Sequence, residues 1–265
     1  MSESDTGGHG YDATGVAQLE AIWGDGFMSP GGPAEVGRIV AGAHIRGADV
    51  LDIGCGTGGA ALVLAIEHGA RTVTGLDVEP YVIDHAAQRA AAAGESGRVH
   101  FQVTEPGPLP LPDSSVDVVF SKDAIIHVRD KHALFAEAFR VLRPGGRLCI
   151  GDWLRGEGAE LDADVDAFVE SAGEDFHMQT LRELGETVAL AGFIDIKLED
   201  RRDWYHGEAV KELARLREPA GETALSQLGS ELIEASIRFW EVLVTSTAHG
   251  VLRPGHVRAS KARPE

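Results

Sequence analysis

Ten residues, Val50-Leu-Asp-Ile-Gly-Cys-Gly-Thr-Gly-Gly59, hold the strongest chemical signal in the sequence. A hydrophobic run leads into a glycine loop that opens a helix, an arrangement that lets the backbone approach a ligand closely. Gly54, Gly56 and Gly59 satisfy the G-x-G-x-x-G pattern of dinucleotide sites, which alone discriminates little. Two carboxylates narrow the choice. Asp52, two residues before the first glycine, would repel a pyrophosphate but suits the ammonium of a methionine moiety. Asp77, at the end of the next strand, can accept both ribose hydroxyls of an adenosine in either case. The pair favours S-adenosylmethionine over a nicotinamide dinucleotide, and a cofactor that carries its own leaving group needs no nucleophile–base triad.

The elements that must position these groups follow from hydrophobic periodicity. Strands are expected at 50–53, 72–76, 99–103, 116–120 and 147–150, with helices at 60–68, 81–93 and 131–142 between them. Asp130 can cap the last of these helices, and Pro144-Gly145-Gly146 ends it. Such alternation implies an α/β fold with a doubly wound, mostly parallel sheet. Two short helices are expected within 14–42, and 161–169 is amphipathic. Two more strands, 194–198 and 256–260, bracket a helical insertion over about 208–247. The organisation is a helical lid at 1–45 and one domain at 46–265, with insertions near 158–190 and 206–248 that roof the site.

Through Val50 to Gly59, Asp77, the Ser121-Lys-Asp-Ala124 strand end and the Leu142-Arg-Pro-Gly-Gly146 turn, residues 48–152 resemble the class I S-adenosylmethionine-dependent methyltransferases. The resemblance implies a Rossmann-like seven-stranded sheet. It also implies Val78 against the adenine, Glu105 and Pro106 at the adenine amino edge, and Lys122 among the cofactor-binding residues. Most relatives carry Asp where this chain has Glu105.

A narrower resemblance, to the phosphoethanolamine N-methyltransferases, covers nearly the whole chain and thins beyond Arg155. It rests on Tyr11-Asp-Ala-Thr-Gly-Val16, Ile22-Trp-Gly24, Met28-Ser-Pro-Gly-Gly32, Ser121 to His127, and His256-Val-Arg-Ala-Ser-Lys261. It implies that Tyr11 and His127 form a lid-locking, proton-handling pair, that Asp123 binds the acceptor amine, and that Met28 and Ser29 close over the methionine end of the cofactor. An amine must be neutral to attack, so a histidine able to take its proton is useful, and a carboxylate can orient that amine.

The resemblance breaks where a phosphate would sit. Leu19 stands in place of a tyrosine, and Trp153 keeps a ring but loses a hydroxyl. Glu170, Glu174 and Phe176 replace tyrosine, arginine and tyrosine, and Arg258 alone keeps its positive charge. At an effective dielectric of about 20, a carboxylate ~4 Å from phosphate costs roughly 4 kcal/mol per charge pair. The expected acceptor is therefore a small amine, an amino-acid-like molecule or a larger natural-product scaffold rather than phosphoethanolamine. Trp153, Glu170, Glu174, Phe176 and Arg258 are the expected substrate-binding residues. Glu170 and Glu174 on a solvated helix face is the bland alternative.

Composition sets the outer bounds. The 265 residues carry a formal charge of −18, which argues against nucleic acid and anionic membrane as partners and suits a cationic or neutral small molecule. The basic segment 253–263 is too short to form a groove. No apolar run approaches the ~20 residues that span a bilayer, and residues 1–10 are polar and glycine-rich, unlike a leader, so the expected location is the cytoplasm. Two cysteines, Cys55 and Cys149, give neither a disulfide framework nor a zinc site, and the eleven histidines lack ligand spacing. The leading function is methylation of a small-molecule amine. The alternatives are a C- or O-methyltransferase using Glu170 or His127 as base, a nicotinamide-dependent oxidoreductase, and a non-catalytic cofactor binder.

Overall fold

The computed structural model describes residues 11–158, 166, 168–170, 176–218 and 229–264. Its centre is a seven-stranded sheet of order β3-β2-β1-β4-β5-β7-β6. The strands are β1 (Asp49–Ile53), β2 (Thr72–Asp77), β3 (Val99–Val103), β4 (Val116–Lys122), β5 (Leu142–Asp152), β6 (Ile194–Asp200) and β7 (Gly255–Ser260). β1 to β5 pair in parallel, whereas β7 runs antiparallel between β5 and β6. The consecutive buried apolar residues Val50 and Leu51 of β1 and Val118, Val119 and Phe120 of β4 are what strands covered on both faces require.

Helices cover both faces. α2 (Gly32–Ile39), α3 (Gly59–Ile66) and α4 (Pro80–Ala92) pack on one, and α5 (Lys131–Val141) and α6 (Leu181–Leu190) on the other. Val36, Ile39, Leu64, Val73 and Phe120 fill the first layer, and Leu51, Phe135, Leu148, Leu184 and Val257 the second. α6 opens on a capping box in which Thr180 and Glu183 satisfy each other's backbone N–H groups.

Above the C-terminal ends of the strands lies a helical roof. It consists of α1 (Ala13–Trp23), α7 (Arg202–Arg217) and α8 (Ser230–His249), together with the helical residues Phe168 to Val169. Ile22, Phe168, Leu213, Trp240 and Leu243 form its own apolar cluster. α1 starts where the Asp12 carboxylate accepts the Thr14 and Gly15 N–H groups.

Several boundaries differ from the periodicity reading. β5 begins at Leu142 rather than at residue 147, because Leu142 pairs with Val116 across a register shift, so the Pro144-Gly145-Gly146 turn lies inside the strand. The later insertion is a pair of helices, the first starting at Arg202, where the Asp200 carboxylate accepts the Arg202 N–H. Most of the amphipathic stretch 161–169 lies outside the described residues. No helix among them is long and apolar enough to cross a membrane.

Candidate active site

The loop from β1 to α3 is shaped by its glycines at two points in particular. Gly54 has φ +70°, and a Cβ there would lie 2.2 Å from the Ala124 Cβ. Gly56 has φ +49° and sits beneath Met28, whose Cε would be 2.5 Å from an added Cβ. Both positions demand glycine on backbone and on steric grounds. The Asp77 carboxylate accepts the Gly56 N–H at 2.9 Å and the Glu79 N–H at 3.2 Å, fixing the loop to the end of β2. Burial raises the Asp77 pKa, and those backbone bonds pull the other way.

Asp52 is 1% exposed, and its Oδ2 has no hydrogen-bond partner among the described residues. Burial, and then the charge of Asp77, push its carboxyl up to about 8 despite the opposing charge of Lys122. A buried carboxylate oxygen without a donor is costly. A ligand ammonium would supply the missing partner, and a diphosphate would not. On this observation the residues fit S-adenosylmethionine.

The N-terminal segment docks directly on this loop. The Gly59 N–H donates to the Gly26 carbonyl at 3.0 Å, and the Thr57 hydroxyl donates to Glu20 at 2.6 Å. Arg89 of α4 reaches Glu20 at 3.0 Å, Asp25 at 2.5 Å and the Thr57 carbonyl at 2.6 Å. Deeper in the roof, Glu212 is buried and accepts both the Trp23 and Trp240 indole N–H groups, at 2.9 and 2.8 Å. Burial raises its carboxyl to about 7, since two neutral donors compensate only part of the lost solvation.

At the ends of β4 and β5 the second group of residues converges. Asp123 takes φ +54°, which for a non-glycine residue marks backbone strain held by its surroundings. Its N–H is tied to the Gly151 carbonyl at 2.8 Å. Its buried carboxylate accepts from Lys122 at 2.6 Å and from the Tyr205 hydroxyl at 3.3 Å. Lys122 also hydrogen-bonds the hydroxyl of Ser29 in the N-terminal segment. A single turn of 3-10 helix, Ile125–His127, then presents His127, whose Nε2 lies 3.0 Å from the Tyr11 hydroxyl. Phe176 packs edge-on against the His127 ring at 5.2 Å, held by the His177 N–H bond to the Ile126 carbonyl. Beside Asp123, Asp152 is buried, and burial and the Asp123 charge push its carboxyl well above the usual range.

The structure thus brings Tyr11, Ser29, Lys122, Asp123, His127, Trp153 and Phe176 together, and places Met28, Asp52, Gly54, Gly56 and Asp77 around the loop beside them. Val78 is half exposed at the end of β2, and Glu105 and Pro106 are exposed after β3. Glu170 is exposed, and Glu174 lies outside the described residues. Arg258 is not at the site. Because β7 runs antiparallel, residue 258 registers with Cys149, three residues below the Asp152 rim, and its guanidinium is bound to Glu199 at 3.0 Å and to the Arg38 carbonyl at 3.3 Å. Tyr205, Phe168, Asp152 and Arg89 join the site without being expected there, and no local motif marks them.

A mostly parallel sheet with one antiparallel strand in its outer half, a glycine loop after the first strand and carboxylates near the ends of the first two strands are the features of the class I S-adenosylmethionine-dependent methyltransferase fold. Comparison with known proteins agrees. Residues 51–150 match the family model described as a methyltransferase domain. The chain is 31% identical over 252 residues to a phosphoethanolamine N-methyltransferase of Zea mays, covering 95% of this chain and 49% of that protein. It is 32% identical over 232 residues to one of Arabidopsis thaliana, covering 87% and 46%. The structure of Haemonchus contortus phosphoethanolamine N-methyltransferase 2, in complex with phosphomonomethylethanolamine and S-adenosylhomocysteine, superposes with a TM-score of 0.89 at 27% identity, over 97% of this chain and 60% of that one. The chain spans about half the length of the curated relatives it matches. Its fold is that of the class I S-adenosylmethionine-dependent methyltransferases, and its sequence is similar to the phosphoethanolamine N-methyltransferases.

Proposed function

We propose that this chain transfers a methyl group from S-adenosylmethionine to an amine nitrogen of a small molecule in the cytoplasm, with residues up to about 45 acting as lid. The observation that carries the reading is the Tyr11–His127 contact at 3.0 Å, which joins residues 116 apart and closes the lid beside the Asp123 carboxylate. The resemblance to enzymes named for an amine acceptor supports nitrogen as the methylated atom.

When bound, S-adenosylmethionine supplies an electrophilic methyl on a sulfonium, so the protein needs only to bind, orient and handle a proton. Asp52 would hold the ammonium of the methionine end, with Met28, Ser29 and Lys122 closing over it. Asp77 would hold the ribose, and Val78, Glu105 and Pro106 would border the adenine. Asp123 accepts hydrogen bonds from the acceptor amine and orients its lone pair, with its own position set by Lys122 and Tyr205. His127 takes the proton that an ammonium must lose before it can attack. Tyr11 holds the imidazole and covers it, and the roof helices exclude water.

The test is incubation of the purified protein with methyl-labelled cofactor and a panel of amines, followed by fragmentation of the products. A label on nitrogen, with turnover reduced at least a hundredfold in His127→Ala, is the expected result. A label on carbon or oxygen, or undiminished turnover in that variant, refutes it.

A further inference from the structure

A chain of ring contacts runs from His127, the proton-taking group of the reading above, to the Asp123 carboxylate. His127 meets Phe176 at 5.2 Å, and Phe176 stacks on Phe168 at 5.6 Å. Phe168 meets Trp153 at 6.0 Å, and Trp153 meets the edge of Tyr205 at 5.0 Å. Tyr205 then donates its hydroxyl to Asp123. Behind the rings lie Phe239 and the apolar cluster of the roof.

Among the described residues, these rings carry one phenolic hydroxyl, already committed to Asp123, and no permanent positive charge. Four cations of neighbouring segments have partners elsewhere among the described residues. Lys131 donates to the carbonyls of Val128 and His177 at 2.7 and 2.6 Å. Arg155 is forked onto Glu183 at 3.0 and 2.8 Å. Lys122 is paired with Asp123, and Arg258 with Glu199. The acidic groups at the neighbouring strand ends are Asp123, which is paired with Lys122, and Asp152, which burial holds toward its neutral form. Such rings offer a phosphate no cationic partner, whereas the charge of an ammonium is stabilised over aromatic faces.

We propose that the acceptor carries no phosphate, and that it is an amine whose non-reacting part is aromatic or apolar and packs within this ring. The inference rests on the methyl-transfer reading above and narrows it to a substrate class. The phosphorylated amine bound by the Haemonchus contortus relative would find no cationic partner among these side chains.

The test is calorimetric titration of the full chain, preloaded with S-adenosylhomocysteine, with phenethylamine and with O-phosphoethanolamine. Phenethylamine should bind at least tenfold more tightly than O-phosphoethanolamine. Trp153→Ala should weaken phenethylamine binding at least tenfold, and Trp153→Phe should restore most of that loss. Equal or tighter binding of O-phosphoethanolamine overturns the proposal, as does indifference of phenethylamine to both Trp153 variants. Failure of the underlying methyl-transfer reading shows earlier and separately, as failure of the protein to take up S-adenosylhomocysteine at all.

Discussion

Replacing Asp52 by Asn should stabilise the cofactor-free protein while weakening its hold on the cofactor. The Asp52 carboxyl titrates at about 8 in the fold against an ordinary 3.8, because it is buried beside Asp77 and has an unpartnered oxygen. A carboxyl raised in this way favours the folded state while protonated, and the advantage is lost as pH climbs from about 4 through 8. At ~1.4 kcal/mol per tenfold, the ionised form costs on the order of 5 kcal/mol of stability above pH 8. The amide of the Asp52→Asn variant carries no such charge, so at pH 8.5 the empty variant should melt roughly 5–10 °C higher than the wild type, narrowing to about 3 °C at pH 5.

Cofactor binding should respond in the opposite sense. If an ammonium pairs with the ionised carboxylate, wild-type affinity must fall roughly fiftyfold from pH 8 to pH 6, and about one proton should leave on binding at pH 6.5. Calorimetry with S-adenosylhomocysteine in buffers of different ionisation enthalpy reads both quantities. Asp77 is also raised, so the difference between the two proteins is the relevant number. Asp52→Asn should bind at least tenfold more weakly at pH 8 and release correspondingly fewer protons. Equal proton release by both proteins, or a less stable empty variant at pH 8.5, would refute the pairing of Asp52 with the methionine end.

Three further outcomes follow from the same geometry. Arg89→Ala removes the cation shared by Glu20, Asp25 and the Thr57 carbonyl. It should raise KM for the cofactor about tenfold and expose residues 24–31 to limited proteolysis, and a protected loop would show that this segment is held elsewhere. Glu212→Gln replaces a carboxyl raised to about 7 and leaves two indole donors facing a single acceptor oxygen. The variant should be less stable than wild type at pH 5 by ~1–2 kcal/mol and at least as stable at pH 8, where the wild-type charge costs roughly 3 kcal/mol. A constant offset in melting temperature at both pH values would contradict this assignment. Gly54→Ala drives a Cβ into Ala124 at a left-handed φ. It should cost ~2–4 kcal/mol in denaturant unfolding and abolish S-adenosylhomocysteine binding, whereas a near-neutral effect would mean the loop can move aside.

Groups whose meaning is local are legible without the fold. The glycine loop, Asp52 and Asp77 announce themselves because a strand end, a tight turn, a helix start and the next strand end follow closely along the chain. The order of strands and helices from β1 to β5 follows from periodicity for the same reason. Tyr205 and Arg89 are different, because each matters through a partner 64 to 82 residues away, and a tyrosine near the start of a helix or an arginine near the end of one looks like any other. The Glu212 pair of tryptophans is likewise assembled from three helices. Arg258 shows the converse failure. Its charge suggests an anion site, but the direction of β7, which decides how far down the sheet it lies, is set by pairing with β5 and not by its own neighbours.

The placement of β7 also bears on the order of assembly. Among the described strands, β6 has only β7 as a hydrogen-bonding neighbour, and β7 follows it by more than fifty residues. β6 must therefore wait, unpaired along both edges, until the roof helices have been threaded and the later strand has slotted in beside β5. The same late strand brings His256 to Glu35, so the anchoring of α2 shares that delay. Contacts of such long sequence separation close slowly, and pulsed hydrogen exchange during refolding should see amides of β1 and β2 protected well before those of β6.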